Sequence, residues 1–355
     1  MRGIGRLFAD TSVTVLNKKQ VSLFSLHCED FSTTRAQRSQ NLVLALEKVR
    51  NLRWTKKGLV YCPRGDSEWA RHSALQPTPY LTQDGTLRVF VGLRDDQGIS
   101  RVGFVDVEPD NPSRVLRVSR SPLLDIGEPG AFDDNGVVPC AIVERGEQTY
   151  LYYAGYQLGR KVRFLAFGGL AVSRDGGDSF VRYSKVPVVD RADEGLFFRA
   201  VHSVLFENGV YRVWYGTGSS WIQSGDKTLP VYNIRHMVSK DGINFPRSGV
   251  VCVETRDDEY RVGRPFVVKQ GDKYSMFYSV ATRMSGYRLG YAESDDGIHW
   301  SRRDDKIGLD VSDNGWDSQM IAYSSLVNYK HQTYLFYNGN EMGRTGFGYA
   351  VLEKT

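Results

Sequence analysis

LRVFVG from Leu87, YLYYAG from Tyr150, YRVWYG from Tyr211, YSMFYS from Tyr274 and YLFYNG from Tyr334 are five versions of one segment. Their starts are 63, 61, 63 and 60 residues apart. Each is short, rich in Tyr, Phe, Trp and Val, and ends at Gly or Ser, which is how a buried strand running into a turn reads. Recurrence at a fixed period marks one supersecondary unit repeated along the chain.

A second recurrence precedes each aromatic segment by roughly ten residues: LQPTPYL around Gln76, VVPCAIV around Val138, VHSVLFE around His202, GRPFVVK around Arg264 and AYSSLVN around Tyr323. Turn formers separate the two, as at Gln83-Asp84-Gly85, Arg145-Gly146, Asn208-Gly209 and Gly271-Asp272, with Tyr329-Lys330-His331 in the fifth unit. A third strand follows in most units: GGLAVS (168–173), IRHMVS (234–239), LGYAES (289–294) and FGYAV (347–351). Three of these run into Asp-Gly turns that start at Ser173, Ser239 and Ser294. Units of three or four antiparallel strands, repeated five times with almost no helix, predict an all-β, five-bladed β-propeller over residues 51–355. Ring closure needs an N-terminal strand in the last blade, and LRWTKKGLVYCP (52–63) is the available partner. Residues 1–50 form an extension in which Leu42, Leu46 and Val49 predict one helix over about 34–50.

Composition narrows the function class. The chain has 355 residues, 41% of them hydrophobic, and a net charge of +5 with its basic residues scattered, so neither a nucleic-acid groove nor a polybasic membrane anchor is indicated. No run approaches the roughly 18–20 apolar residues of a membrane span, and the start lacks a signal-peptide pattern, so a cytoplasmic location is expected. Cys28, Cys62, Cys140 and Cys252 form no close pair and read as buried free thiols. No metal-ligand spacing occurs.

In a propeller the innermost strand of every blade lines a central funnel, so matched positions of the second recurrence converge. They hold Gln76, Val138, His202, Arg264 and Tyr323. The loops just upstream carry His72, Asp133-Asp134, Glu194 with Arg199, Glu259 with Arg261, and Trp316-Asp317; Trp221 and Asn338 complete the candidate binding set. Carboxylates gathered with Arg, His, Tyr and Trp around one mouth suit a carbohydrate, because acids and amides bond hydroxyls while aromatic faces cover sugar rings. Glycoside hydrolysis needs two carboxyl groups across the scissile bond.

GAFDDNGVVP (130–139), YLYYAGY (150–156), LAVSRDGGDSF (170–180), VSKDGINF (238–245), YRLGYAESDDGIHWSRRD (287–304) and NGWDSQMIAYSSLV (314–327) followed by YLFYNGN (334–340) carry a family likeness. Over roughly residues 60–355 the chain resembles the five-bladed propellers of glycoside hydrolase families 32, 43, 68 and 130, and most of all a branch of family-43-like proteins. The resemblance implies a glycosidase or transglycosidase with Glu194 as acid, Asp134 as the carboxylate that orients it, and Asp95 of the Arg94-Asp95 pair holding substrate hydroxyls. Family-43 hydrolases carry their base as an Asp before Pro in the first blade, where this chain has Gln76 before Pro77. Two alternatives therefore stand beside hydrolysis. One is a non-catalytic glycan-binding propeller linked to surface-polysaccharide metabolism. The other is phosphorolysis as in family 130, with His202, Arg199 and Arg264 on the phosphate. No cofactor is expected. An axial calcium or other ion beside His202 or His72 is an implication of the resemblance with no ligand spacing behind it.

Overall fold

The computed structural model describes residues 51–354, so the helix expected over about 34–50 and Cys28 lie outside the described residues. After β1 (Trp54–Tyr61), the strands follow in antiparallel sets. The first holds β2 (His72–Leu81), β3 (Leu87–Arg94), β4 (Ser100–Glu108) and β5 (Asn111–Val118). The second holds β6 (Val137–Arg145), β7 (Gln148–Leu158), β8 (Phe164–Ser173) and the short β9 (Val181–Arg182). The third holds β10 (Phe198–Glu207), β11 (Val210–Ser224), β12 (Lys227–Ser239) and β13 (Val250–Val253). The fourth holds β14 (Glu259–Gln270), β15 (Lys273–Thr282), β16 (Arg288–Ser294) and β17 (Ser301–Arg302). In the last, β18 (Ala322–Tyr329), β19 (Gln332–Asn338) and β20 (Phe347–Leu352) are completed by β1, which pairs with β20 from Trp54 opposite Leu352 to Tyr61 opposite Phe347. Brief parallel contacts, β8 with β10 and β12 with β14, join the second, third and fourth sets along their edges. Among the described residues the helical content is one turn at Asn340–Gly343 and a 3-10 turn at Asp304–Lys306. No helix there is long and apolar enough to cross a membrane.

The aromatic segments are the middle strands, and their side chains make the core. Tyr152, Tyr153, Trp214, Tyr215, Phe277, Tyr278, Phe336 and Tyr337 are all fully buried. Apolar clusters lie between neighbouring sets: first with second around Phe90 and Tyr153, second with third around Tyr152 and Tyr215, third with fourth around Trp214 and Tyr278, and fourth with last around Phe277 and Tyr337. A further cluster joins the last set to the first through Phe336, Leu87 and Val105. Polar clamps reinforce this order. The Asp-Gly turn of one set offers a glycine carbonyl to the middle strand of the set before it: Gly177 to Arg88 Nη1 (2.8 Å), Gly242 to the Tyr152 hydroxyl (2.7 Å) and Gly297 to Trp214 Nε1 (2.8 Å). The hairpin at Asn208-Gly209 has φ of 52° and 76°, the positive pair that a two-residue turn matched to strand twist requires.

Each innermost strand carries an irregularity at nearly the same place. The register slips between Leu75 and Thr78, Pro139 and Ala141, Val201 and Ser203, Gly263 and Phe266, and Ala322 and Ser325. A bulge leaves its extra residue out of the ladder and re-aims its side chain. The bulged positions include Gln76, Cys140, His202, Arg264 and Tyr323, so the second-set member of the matched positions is Cys140, two residues beyond the expected Val138. Gln76, Arg264 and Tyr323 have φ of 51°, 53° and 59°, a left-handed conformation unusual for residues with a Cβ. Neighbours hold it in place: Asn338 Oδ1 accepts the Gln76 amide at 2.7 Å while its Nδ2 donates to the Ala74 carbonyl at 2.6 Å.

Arg264 ties these bulges together. From the fourth set, its Nη1 donates to the carbonyls of Cys140 (2.7 Å, second set) and His202 (3.3 Å, third set). Its Nη2 donates to the hydroxyls of Thr78 (3.0 Å, first set) and Ser325 (3.4 Å, last set). One guanidinium thus bonds to every other set, and burial pulls its pKa down to about 10. Cutting it back to an apolar chain would strand two bulge carbonyls, at roughly 1–3 kcal/mol each. Arg264→Met is therefore expected to lower unfolding free energy by about 2–6 kcal/mol; equilibrium denaturation checks this, and unchanged stability would remove the central role given to this residue.

Candidate functional site

A cavity of about 350 Å³ opens beside this axis, and all of the strand sets line it. The first set contributes Leu75, Gln76, Arg94 and Ser100; the second Val138, Tyr156, Gln157 and Phe164, with Asn135 and Arg163 from its loops. Tyr232, Arg261 and Tyr323 come from the third, fourth and last sets. A larger hollow of about 750 Å³ lies between the Thr82–Thr86 and Arg174–Asp178 turns, but Asp175 there is bound to Ser173, Ser179 and backbone amides of its own turn. The axial cavity is the better candidate, because it is the one built by convergence of the inner strands.

Phenols and guanidiniums dominate its polar lining. The Tyr232 and Tyr287 hydroxyls are hydrogen-bonded to each other, and the Tyr287 and Tyr323 rings lie 5.4 Å apart. Burial pushes the Tyr323 hydroxyl up to about 12 and raises that of Tyr156 as well, so both remain protonated at neutral pH. The Arg261 guanidinium lies 4.3 Å from the Tyr287 ring centre, 4.8 Å from that of Tyr260 and 5.8 Å from that of Tyr232. No carboxylate among the described residues lines the cavity.

The expected carboxylates lie elsewhere, and each has a partner. Glu194, expected as the acid, has a buried side chain and accepts from Arg199 Nε (3.1 Å), the Tyr215 hydroxyl (2.6 Å), Arg235 Nη1 (3.1 Å) and the Gly249 amide (3.0 Å). Both of its oxygens are committed, and Arg199 is committed with it, donating also to the Asp190 carbonyl. Asp95 closes its own turn through the Gln97 and Ile99 amides and pairs with Arg101 at 2.8 Å. Glu259 makes a bidentate pair with Arg302 at 2.7 and 2.8 Å. Strand alternation puts Glu259 and Arg261 on one face, but the register slips between them, so Arg261 reaches the cavity and Glu259 does not. Asp317 holds Lys56 at 2.8 Å and the Tyr337 hydroxyl at 3.0 Å, fastening β1 to the last set. Asp134 comes nearest: it accepts the Gly130 amide at 2.8 Å and lines a shallow hollow that shares Asn135, Gln157 and Leu158 with the cavity.

Of the other expected residues, Gln76, Arg94 and Tyr323 line the cavity. Arg264 and His202 lie on the adjoining axis, linked to the cavity through Gln76 Oε1, which lies 3.6 Å from Cys140 Sγ. Trp221 packs 5.4 Å from Phe164, behind the wall. His72 bonds its neighbour Ser73 and pairs across the ladder with Arg94. Trp316 stacks on Tyr337 at 5.1 Å, and Asn338 props the Gln76 bulge. Cys140 is buried as expected, but Cys62 and Cys252 are only partly so. Tyr156, Phe164, Tyr232 and Arg163 belong to the site and are absent from the set expected on sequence. Tyr156 alone had a signal, since it ends the aromatic segment of its unit.

No group of three or more metal-ligating side chains occurs among the described residues. Beside His202, the carbonyls an axial cation would use are bonded to Arg264, and a fixed positive charge there disfavours a second one.

No protein-family model matches the chain. The uncharacterized protein Rv1502 of Mycobacterium tuberculosis is 34% identical over 301 residues, covering 84% of this chain and 99% of that one. The chain belongs to the family of that mycobacterial protein. Among solved structures, one described as a glycoside hydrolase aligns with a TM-score of 0.66 at 16% identity, covering 88% of this chain and 94% of the other. A thermostable family-43 glycoside hydrolase aligns with a TM-score of 0.59 at 15% identity, covering 81% and 90%. A structure from the GH130 family of mannoside phosphorylases and hydrolases gives 0.63 at 15% identity, covering 86% and 94%. The fold of this family member is accordingly the β-propeller of glycoside hydrolases.

Two outcomes follow from this geometry. Glu194→Gln is expected to cost about 3 kcal/mol of stability, the usual scale for breaking a buried ion pair, while leaving ligand binding intact; a stable variant with abolished binding or turnover would return Glu194 to the site. Burial and the nearby Arg264 hold the His202 imidazole well below its usual range, and burial with Arg212 takes His236 down to about 4. Both are neutral when folded, whereas the unfolded chain binds protons near pH 6.5, so stability is complete above that pH and falls as it drops. The slope approaches ~1.4 kcal/mol per pH unit for each histidine. Melting of His202→Gln between pH 7 and 5 should show a shallower slope than the wild type, and an unchanged slope would contradict the buried neutral state.

Proposed function

We propose that this chain is a five-bladed propeller over residues 51–355 that binds a glycan in its central funnel and does not hydrolyse it by paired carboxylates. The blade count is supported by the strand sets, by apolar clusters between all neighbours including last and first, and by the β1–β20 closure. The observation that carries the functional reading is the lining of the cavity: tyrosine and phenylalanine rings, side-chain amides and guanidiniums from every set, with no carboxylate among the described residues. Aromatic faces cover the apolar faces of sugars, and the remaining groups bond hydroxyls. The glycoside hydrolases among the structural neighbours favour a carbohydrate over other polar ligands. Hydrolysis requires a protonated acid and an ionised partner across the scissile bond, and Gln76 stands where the base was expected.

Asp134 supports a second reading. It borders the cavity and could act as a lone acid, with phosphate bound by the arginines as nucleophile in place of a carboxylate-activated water. A glycan-binding screen run beside reducing-end and phosphate-release assays separates the cases. The proposal expects saturable sugar binding without turnover, with or without phosphate. Phosphate-dependent turnover lost in Asp134→Asn would establish the second reading, and phosphate-independent release of reducing ends would contradict both.

A further inference from the structure

We infer that the glycan taken by this funnel is acidic, its negative group recognised by Arg261 and Arg94; the inference rests on the funnel being the glycan site. Several arginines with buried side chains are each held by a carboxylate, Arg88 by Asp106, Arg199 by Glu194 and Arg302 by Glu259, while Arg264 on the axis is held by carbonyls and hydroxyls. At the cavity this pattern breaks. Arg94 and Arg261 pair with no carboxylate among the described residues, and the Nε of each is buried without a partner. Arg163 adds a third, exposed guanidinium at the rim. The nearby carboxylates do not compensate, since Asp95 is paired with Arg101, Asp96 with Arg71, and Asp134 with the Gly130 amide. Arg264 contributes positive field but no free Nη donor, because both of its Nη atoms bond within the protein.

The arrangement of Arg261 gives this imbalance a direction. Three tyrosine rings surround its guanidinium within 4.3–5.8 Å, fixing it without neutralising it. An immobilised planar fork of donors matches a carboxylate or other oxyanion bidentately, with little entropy left to lose. A neutral hydroxyl could accept from it but would leave a partly desolvated cation without a counterion, which is costly. The same cavity is lined by the aromatic side chains of Phe164, Tyr232 and Tyr323, which suit a ring rather than a free inorganic ion. The ligand therefore carries its charge on the sugar.

The test is a glycan array probed with the full chain. It displays matched acidic and neutral oligosaccharides, with glucuronic against glucose, galacturonic against galactose and mannuronic against mannose residues, and the hits are titrated calorimetrically with inorganic phosphate as a separate probe. At least one acidic member is expected to bind tenfold or more tightly than its neutral partner, with affinity falling as salt rises. Arg261→Met and Arg94→Met should each lose tenfold or more of that binding while melting as cooperatively as the parent; if Arg261→Met fails to fold, Arg94→Met decides. Equal or tighter binding of the neutral partners, or binding of phosphate without preference for acidic sugars, would overturn the acidic assignment while leaving a funnel that holds a ligand. Absence of any sugar binding would overturn both the assignment and the reading beneath it.

Discussion

A single buried guanidinium, that of Arg264, sits where the inner strands meet and bonds to the four strand sets other than its own. Its position depends on the bulges. A regular strand would pair its carbonyls along the ladder, whereas the slips at Cys140 and His202 turn theirs toward the axis. The left-handed backbone at Gln76, Arg264 and Tyr323 is part of the same arrangement, and Asn338 holds one end of it from the last set. The axis is thereby filled and internally bonded, and the space left for a ligand lies beside it, bounded by the residues that flank each bulge. Strain and the cavity share an origin here: the irregularity that breaks the ladder is what presents side chains to the cavity.

Partners, rather than residue type, decide what the charged groups do. Glu194, Glu259, Asp317 and Asp95 have the chemistry of catalytic acids and bases, yet each is held by arginine, lysine, tyrosine or amide donors, the first three by partners distant in sequence and Asp95 within its own turn. Arg94 and Arg261 at the cavity have no such carboxylate partner among the described residues. The outcome is a cavity lined by guanidiniums, amides and aromatic rings, with no carboxylate among the described residues, within a fold shared with a family-43 glycoside hydrolase. Likeness of fold does not carry likeness of reaction, because the reaction resides in a handful of side chains at the strand ends.

The strands and their turns are legible in the sequence because aromatic segments and Asp-Gly turns are short-range signals. Matched inner-strand positions are legible to within one bulge: the pattern points to Val138, Cys140 is the bulged residue, and Val138 lines the cavity nonetheless. The carboxylates mislead for a physical reason. Acidic residues in the loops ahead of inner strands look poised over a funnel, but nothing local shows that Arg235 on β12 reaches Glu194, or that Arg302 on β17 reaches Glu259. Those pairings run within one set, from an outer strand back to the segment that leads into or begins the inner strand, 41 and 43 residues apart in sequence, and no periodicity encodes them. Arg261 is legible on the correct strand but on one face with Glu259, because simple alternation fails where the register slips.

Coupling of all the sheets through the central guanidinium is most directly tested by native-state hydrogen exchange on the inner strands β2, β6, β10, β14 and β18. If Arg264 locks them as described, their slowest amides exchange together, by global opening and with one shared free energy. Exchange of one inner strand through an independent, lower-energy opening, while the other four stay protected, would contradict the account.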